Sequence, residues 1–124
     1  MAEPRGPETA GRSRTWSLTA LSGIALLVLV TIHMVAHHFV VEEIGGLRTY
    51  AQVLDYIGNP VILVLELALL VTVTVHAMLG LRSVLFDFGL SERARRLVTR
   101  GLVGLGAVTV VYGVVLIGVL ASRA

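Results

Sequence analysis

Residues 61–81 read VILVLELALLVTVTVHAMLGL, an apolar run interrupted by Glu66 and His76 and free of arginine and lysine. Its length matches the ~20 residues that cross a hydrocarbon layer ~30 Å thick as a helix. It shows no period-2 alternation, and a bilayer admits only helices and closed barrels, so it reads as a transmembrane helix. Two further runs of the same kind flank it, Leu18–Val41 and Leu102–Ala121. Of the 124 residues 56% are hydrophobic and only 15% charged, with a mean hydropathy of +0.87. A soluble domain of this size has too little interior to hide that much apolar mass. Composition thus excludes a self-contained soluble enzyme or a dinucleotide-binding domain, and the lack of cysteine excludes thiolate ligands and a disulfide scaffold. The expected fold class is an all-α membrane protein with three transmembrane helices at about 17–41, 59–88 and 92–121, multi-pass in the cell membrane.

The ends of these runs carry their own signals. Asn59-Pro60 suits the N-cap and first position of the second helix, Gly89 its end, and Ser91 the cap of the third. Glu42 to Gly58 holds most of the outer connection, and residues 1–15 are expected to be disordered. The first run has Arg12 and Arg14 ahead of it like a signal peptide, but it is longer than an apolar signal core, lacks an A-x-A site and carries three histidines. All ten basic residues are arginine. Seven of them (Arg5, Arg12, Arg14, Arg93, Arg95, Arg96 and Arg100) precede the first helix or join the second to the third, whereas the outer connection holds only Arg48 and the tail only Arg123. The positive-inside rule then places the N-terminus in the cytoplasm and the C-terminus outside. Trp16 would sit near the inner interface, Tyr50 and Tyr56 near the outer one.

Polar groups at membrane depth are costly and mark function or pairing. On the second helix His76, Gly80, Ser83 and Asp87 fall within an arc of about 60° at 100° per residue. His76 lies ~16 Å from Asp87 along the axis. A neutral imidazole at that depth is a good axial ligand for haem iron, and Gly80 lets a flat macrocycle or a helix approach. The other reading of His76 is a hydrogen bond across a helix interface. Arg82 lies off that arc, with a side chain long enough to reach a propionate or an acidic partner.

The stretch His76-Ala-Met-Leu-Gly80-Leu-Arg82-Ser-Val-Leu-Phe-Asp87-Phe88 resembles the second-helix signature of the small membrane-anchor subunit of succinate dehydrogenase (succinate:quinone oxidoreductase). That pattern is His, three residues, Gly, with Asp-Tyr starting eleven residues after the His; some members also place an Arg two residues after the Gly, as Arg82 stands here. Ser22-Gly23 followed by His33 in the first run is similar to the same family, and the resemblance covers roughly Trp16 to Tyr112. It implies a cytochrome b-type anchor of respiratory complex II that pairs with a second membrane-anchor subunit. Haem b and a quinone site would lie between them, and the iron–sulfur and flavoprotein subunits, which carry the clusters and the FAD, would dock on the cytoplasmic face. His76 would then ligate haem b with Arg82 near it, and Asp87, with Phe88 and Ser83 beside it, would contact quinone. The departure is Phe88: it cannot donate the hydrogen bond that the family's tyrosine gives a quinone carbonyl, so either another donor replaces it or quinone binds differently. The alternative for Asp87 is a helix-end carboxylate paired with an arginine.

His33 and His37 share a face one turn apart. His33 lies ~25 Å above Trp16, deep in the outer half, so it and His76 stand at different depths and do not ligate one iron. His33 has two readings: the ligand of a second haem, or a hydrogen bond to a neighbouring helix with His37 and His38 solvated outside. Glu66 either bonds a histidine or takes part in proton movement, or is a neutralised structural carboxyl. Gly101-x-x-Gly104-x-Gly106 opens no βαβ unit and reads as small residues at a helix contact, with Tyr112 packed nearby. No nucleic-acid motif appears. The alternative function is a structural or assembly subunit of another membrane complex with no haem; a transporter is disfavoured by the absence of a repeat or a broken helix.

Overall fold

A computed structural model describes residues 8–40 and 49–124, with side chains from 14 to 38 and from 49 onward. Residues 1–7 and 41–48 lie outside them, and with these Arg5, Arg48, the first part of the expected disordered segment and much of the outer connection. The described chain forms four helices: α1 (Glu8–Val40), α2 (Tyr50–Gly58), α3 (Pro60–Phe86) and α4 (Glu92–Ser122). Three are long and apolar enough to cross a membrane, over Arg14–His38, Pro60–Phe86 and Glu92–Ser122. The protein is a multi-pass, all-α membrane protein.

α3 stands between α1 and α4 and packs on both, while α2 lies against α3 and α4. The buried hydrophobic residues are few: Tyr56, Ile57, Ile62, Leu65 and Leu102. Large apolar side chains such as Leu27, Val61 and Val108 are about 70% exposed, as expected where lipid and partner chains take the place of water. Lipid tails solvate leucine as well as another helix does, so helices join through close packing of small residues and through polar contacts. Gly106 supplies the first, where an added Cβ would stand 3.2 Å from Met78 Cγ. Of the three glycines expected at a helix contact only Gly106 makes one; Gly101 and Gly104 face open space, and Tyr112 is exposed rather than packed. Hydroxyls inside the spans are satisfied locally, Thr19, Thr31, Thr74 and Thr109 each donating to the carbonyl four residues back.

The helix ends follow their sequence signals. Asn59 Oδ1 accepts from the N–H of Val61 at 2.9 Å, with Pro60 at the first position of α3. Ser91 caps α4 by accepting from Ala94 N–H. Gly89, at φ +68°, turns the chain out of α3 in the left-handed region that a side chain resists.

Three expectations need correction. Residues 8–15, expected to be disordered, form the first turns of α1; Ala10, Arg12 and Arg14 are good helix formers, and extending an existing helix avoids a second nucleation. Residues 50–58, expected as connection, form α2. Thr49 caps it by accepting from Gln52 N–H while Gln52 Oε1 accepts from Thr49 N–H at 2.8 Å, a reciprocal capping box. Tyr56, expected at the interface, is instead buried with Ile57 and Ile62 against Ala36, Leu120 and Ala121, so α2 closes the end of the bundle where α4 finishes.

Candidate functional site

α1 and α3 run antiparallel, and two polar contacts mark their shared face. The one farther from α2 is His76, whose Nδ1 lies 3.0 Å from Ser22 Oγ. Ser22 donates its own hydroxyl proton to the Thr19 carbonyl at 3.0 Å, which leaves Oγ to accept from His76. With the Ser22 proton on the Thr19 carbonyl, the matching tautomer has the proton on Nδ1 and the lone pair on Nε2. Among the described residues nothing hydrogen-bonds Nε2. The ring fits there because residue 23 is glycine: an added Cβ would stand 3.2 Å from His76 Cε1. A helix-borne imidazole with one nitrogen tied down and the other available is the donor arrangement of a metal-bound histidine. One turn toward the C-terminal end of α3, Gly80 has nothing within 4 Å of where its Cβ would be, so a group of another molecule can approach the helix there.

The residues expected at the inner end divide into two groups. Arg82 faces α4, its Nε donating to Thr99 Oγ1 at 3.3 Å and its guanidinium lying 4.3 Å over the Phe86 ring. It lines one end of an apolar groove of about 400 Å³ between α3 and α4, with Met78, Leu102 and Gly106 further along. His76 faces α1, so within this chain the two are on different sides of α3. Ser83, Asp87 and Phe88 are all exposed at the α3 terminus. Among the described residues no arginine pairs with Asp87, so the ion-paired alternative for it does not appear. The Arg95 guanidinium lies 5.3 Å from the centroid of the same Phe86 ring, which gathers two guanidinium groups around one aromatic at this end.

The outer contact is a cluster. Glu66 Oε1 lies 2.8 Å from His33 Nδ1, accepts from Tyr56 OH at 2.7 Å and is 3.9 Å from His37 Nε2. The His33 and His37 ring centroids are 4.1 Å apart, and His37 is 4.7 Å from the Tyr56 ring. His37 is thus turned toward Glu66 while staying partly exposed, and His38 is exposed. Glu66 and His76 are ten residues apart on α3, which separates the two histidine sites by ~15 Å along the helix.

A family model described as the succinate dehydrogenase/fumarate reductase transmembrane subunit matches residues 12–116, a span that includes every residue of both sites. The chain belongs to this family. Two relatives agree. One, from Archaeoglobus fulgidus, is 28% identical over 95 residues, covering 77% of this chain and 79% of its own length. The other, from Thermoplasma acidophilum, is 26% identical over 97 residues, covering 78% and 77%. Both are named succinate dehydrogenase hydrophobic membrane anchor subunit. For this member of the transmembrane-subunit family, the sequence singles out His76 and Glu66 but not the partners that hold them. Ser22 was quoted only as part of a pattern, although its contact with His76 is what orients the ring. The sequence places Tyr56 only near the outer interface; the Val53, Tyr56, Ile57 spacing of a helical face is the signal that it packs inward.

Proposed function

We propose that this chain is the hydrophobic membrane anchor of a succinate:quinone oxidoreductase, that His76 gives haem b one axial ligand through Nε2, and that the α3 terminus forms part of the quinone site. The observation that carries this reading is the Ser22–His76 bond, which fixes the imidazole and leaves the ligating nitrogen open. Its support is the family match and the two relatives named as anchors.

A row of three helices has no interior wide enough for a macrocycle. The open space at Gly80 is where the macrocycle and a second anchor subunit would approach. A haem b held there supplies a one-electron store beside the quinone. The chain's own residues do the rest. Ser22 and Gly23 hold the imidazole in one tautomer and one orientation. Arg82, pinned by Thr99, keeps its terminal N–H groups for a propionate or for an anionic quinone oxygen. Asp87 holds an exposed carboxylate at the end where quinone must collect protons. Ser83 offers the hydroxyl donor that Phe88 lacks. The arginines of α4's first turns and the start of α1 lie at this same end, which is assigned to the cytoplasm, with the N-terminus inside and the C-terminus outside. The iron–sulfur and flavoprotein subunits would dock there.

A pyridine haemochrome assay on the intact complex tests the reading: one haem per flavin is expected, and a haem-free complex overturns it in favour of a purely structural anchor. Asp87→Asn is expected to lower quinone reductase activity at least ~10-fold while succinate oxidation by artificial acceptors holds. Equal loss of both activities would show an assembly defect and remove Asp87 from the quinone site.

A further inference from the structure

The outer cluster is distinct from the haem and quinone sites. His33 and His37, one turn apart on α1, and Glu66 from α3 each offer a ligand atom, and those three atoms lie within 4.8 Å of one another. We propose that they bind a divalent transition-metal cation of the zinc class, joining α1 to α3 beneath α2.

The donor set selects the class. Two imidazole nitrogens and one carboxylate suit zinc and its neighbours in the first transition row, whereas calcium and magnesium ask for oxygen alone. The spacing also suits it. Donors around a tetrahedral ion with bonds of ~2.0 Å stand ~3.3 Å apart. Here the Glu66 oxygen is 2.8 Å from one nitrogen and 3.9 Å from the other, on either side of that value. A change of ~0.5–0.6 Å in each distance brings both to that value.

The carboxylate is also oriented in advance. Tyr56, buried in the α2 cluster, donates to Glu66 Oε1, the kind of outer contact that fixes a ligating group. A simple helix-pairing role needs only the His33–Glu66 bond. It gives no reason for His37 to approach the same oxygen, or for a tyrosine from a separate helix to be recruited to it. The His37 side chain is 35% exposed, against 15% for Glu66, so the cluster opens on the His37 side, where an ion enters and where water completes the fourth position.

The competing occupant is a second haem. Glu66 holds His33 Nδ1 much as Ser22 holds His76 Nδ1, so a haem would take His33 through Nε2, whereas a zinc ion would use the Nδ1 that faces Glu66 and His37.

The test uses the whole complex, purified in chelator, equilibrated with Zn²⁺, desalted and analysed for metal. One tightly held zinc per anchor chain is expected. His33→Gln, His37→Gln and Glu66→Gln should each lower zinc affinity at least ~10-fold, Tyr56→Phe by about 10-fold as an outer contact, and His38→Gln not at all. The haem band, unchanged in all five, reports that the complex has assembled. Wild-type complex that keeps no zinc, or variants that keep it as well as wild type, overturn the proposal. So does a second haem per flavin that vanishes in His33→Gln. Should a variant fail to assemble, zinc-edge X-ray absorption of the wild-type complex decides: a shell of two imidazoles and carboxylate oxygen supports the site, and any other shell overturns it.

Discussion

His76→Leu removes the haem b absorption band from the purified complex, while flavin content and succinate oxidation by artificial acceptors stay at wild-type levels. Leucine fills the space beside Gly23 with an apolar group close to imidazole in bulk but has no lone pair to give iron. The substitution leaves little behind to destabilise the anchor. Ser22 already donates its proton to the Thr19 carbonyl, so the change strips it only of an incoming hydrogen bond. The loss should therefore fall on the cofactor and not on the fold. Ser22→Ala is the graded companion. It keeps the ligand but frees the ring to change tautomer and orientation, and an outer contact of this kind is worth ~10–100-fold in retention. Haem retained on gentle isolation and lost on extended washing is the expected signature. An unchanged band in His76→Leu would end the ligand assignment. Loss of the flavoprotein from the membrane along with the haem would also end it, by making His76 a packing residue.

The spans were legible because their cause is local: each is a run of apolar residues of bilayer length, and nothing elsewhere in the chain alters what such a run must do. The caps at Asn59 and Ser91 were legible for the same reason. α2 was not, because nine residues with a buried tyrosine look like connection until the neighbours that bury it are in place. Its Thr49–Gln52 capping box is a local signal, but short amphipathic segments form only when packed. Pairings between helices were harder still. A helical wheel puts Arg82 about 120° from His76, yet says nothing about which helix lies on each side. That Arg82 meets Thr99 and His76 meets Ser22 depends on the antiparallel register of α1, α3 and α4, which contacts far apart in sequence decide together. Glu66 shows the limit well. Its depth marked it as a paired group, and His33 was among the natural partners; the buried Tyr56 was not.

That register is itself open to test at Gly113, where α4 packs against Leu70 of α3. A Cβ there would stand 2.5 Å from Leu70 Cδ2 and 2.9 Å from Cδ1, too near for even a methyl group unless Leu70 moves. Gly113→Leu adds three further carbons to a place without room. Overpacking costs ~1–3 kcal/mol in a soluble core, where separating the elements would expose apolar surface to water. In a bilayer that restraint is missing, because lipid solvates the parted faces as well as they solvate each other. Helix separation is then the easiest relief, and it would pull Arg82 from Thr99 and loosen the α3 scaffold on which both His76 and Glu66 stand. The yield of haem-containing complex is expected to fall ~10-fold or more, with succinate oxidation by the detached soluble subunits unaffected. Leu70→Ala in the same chain returns about the volume that was added, and should restore most of the yield without making α3 more polar. If the double variant stays as poor as Gly113→Leu alone, the α3–α4 contact is not what holds this anchor together, and Gly113 must face something outside the chain.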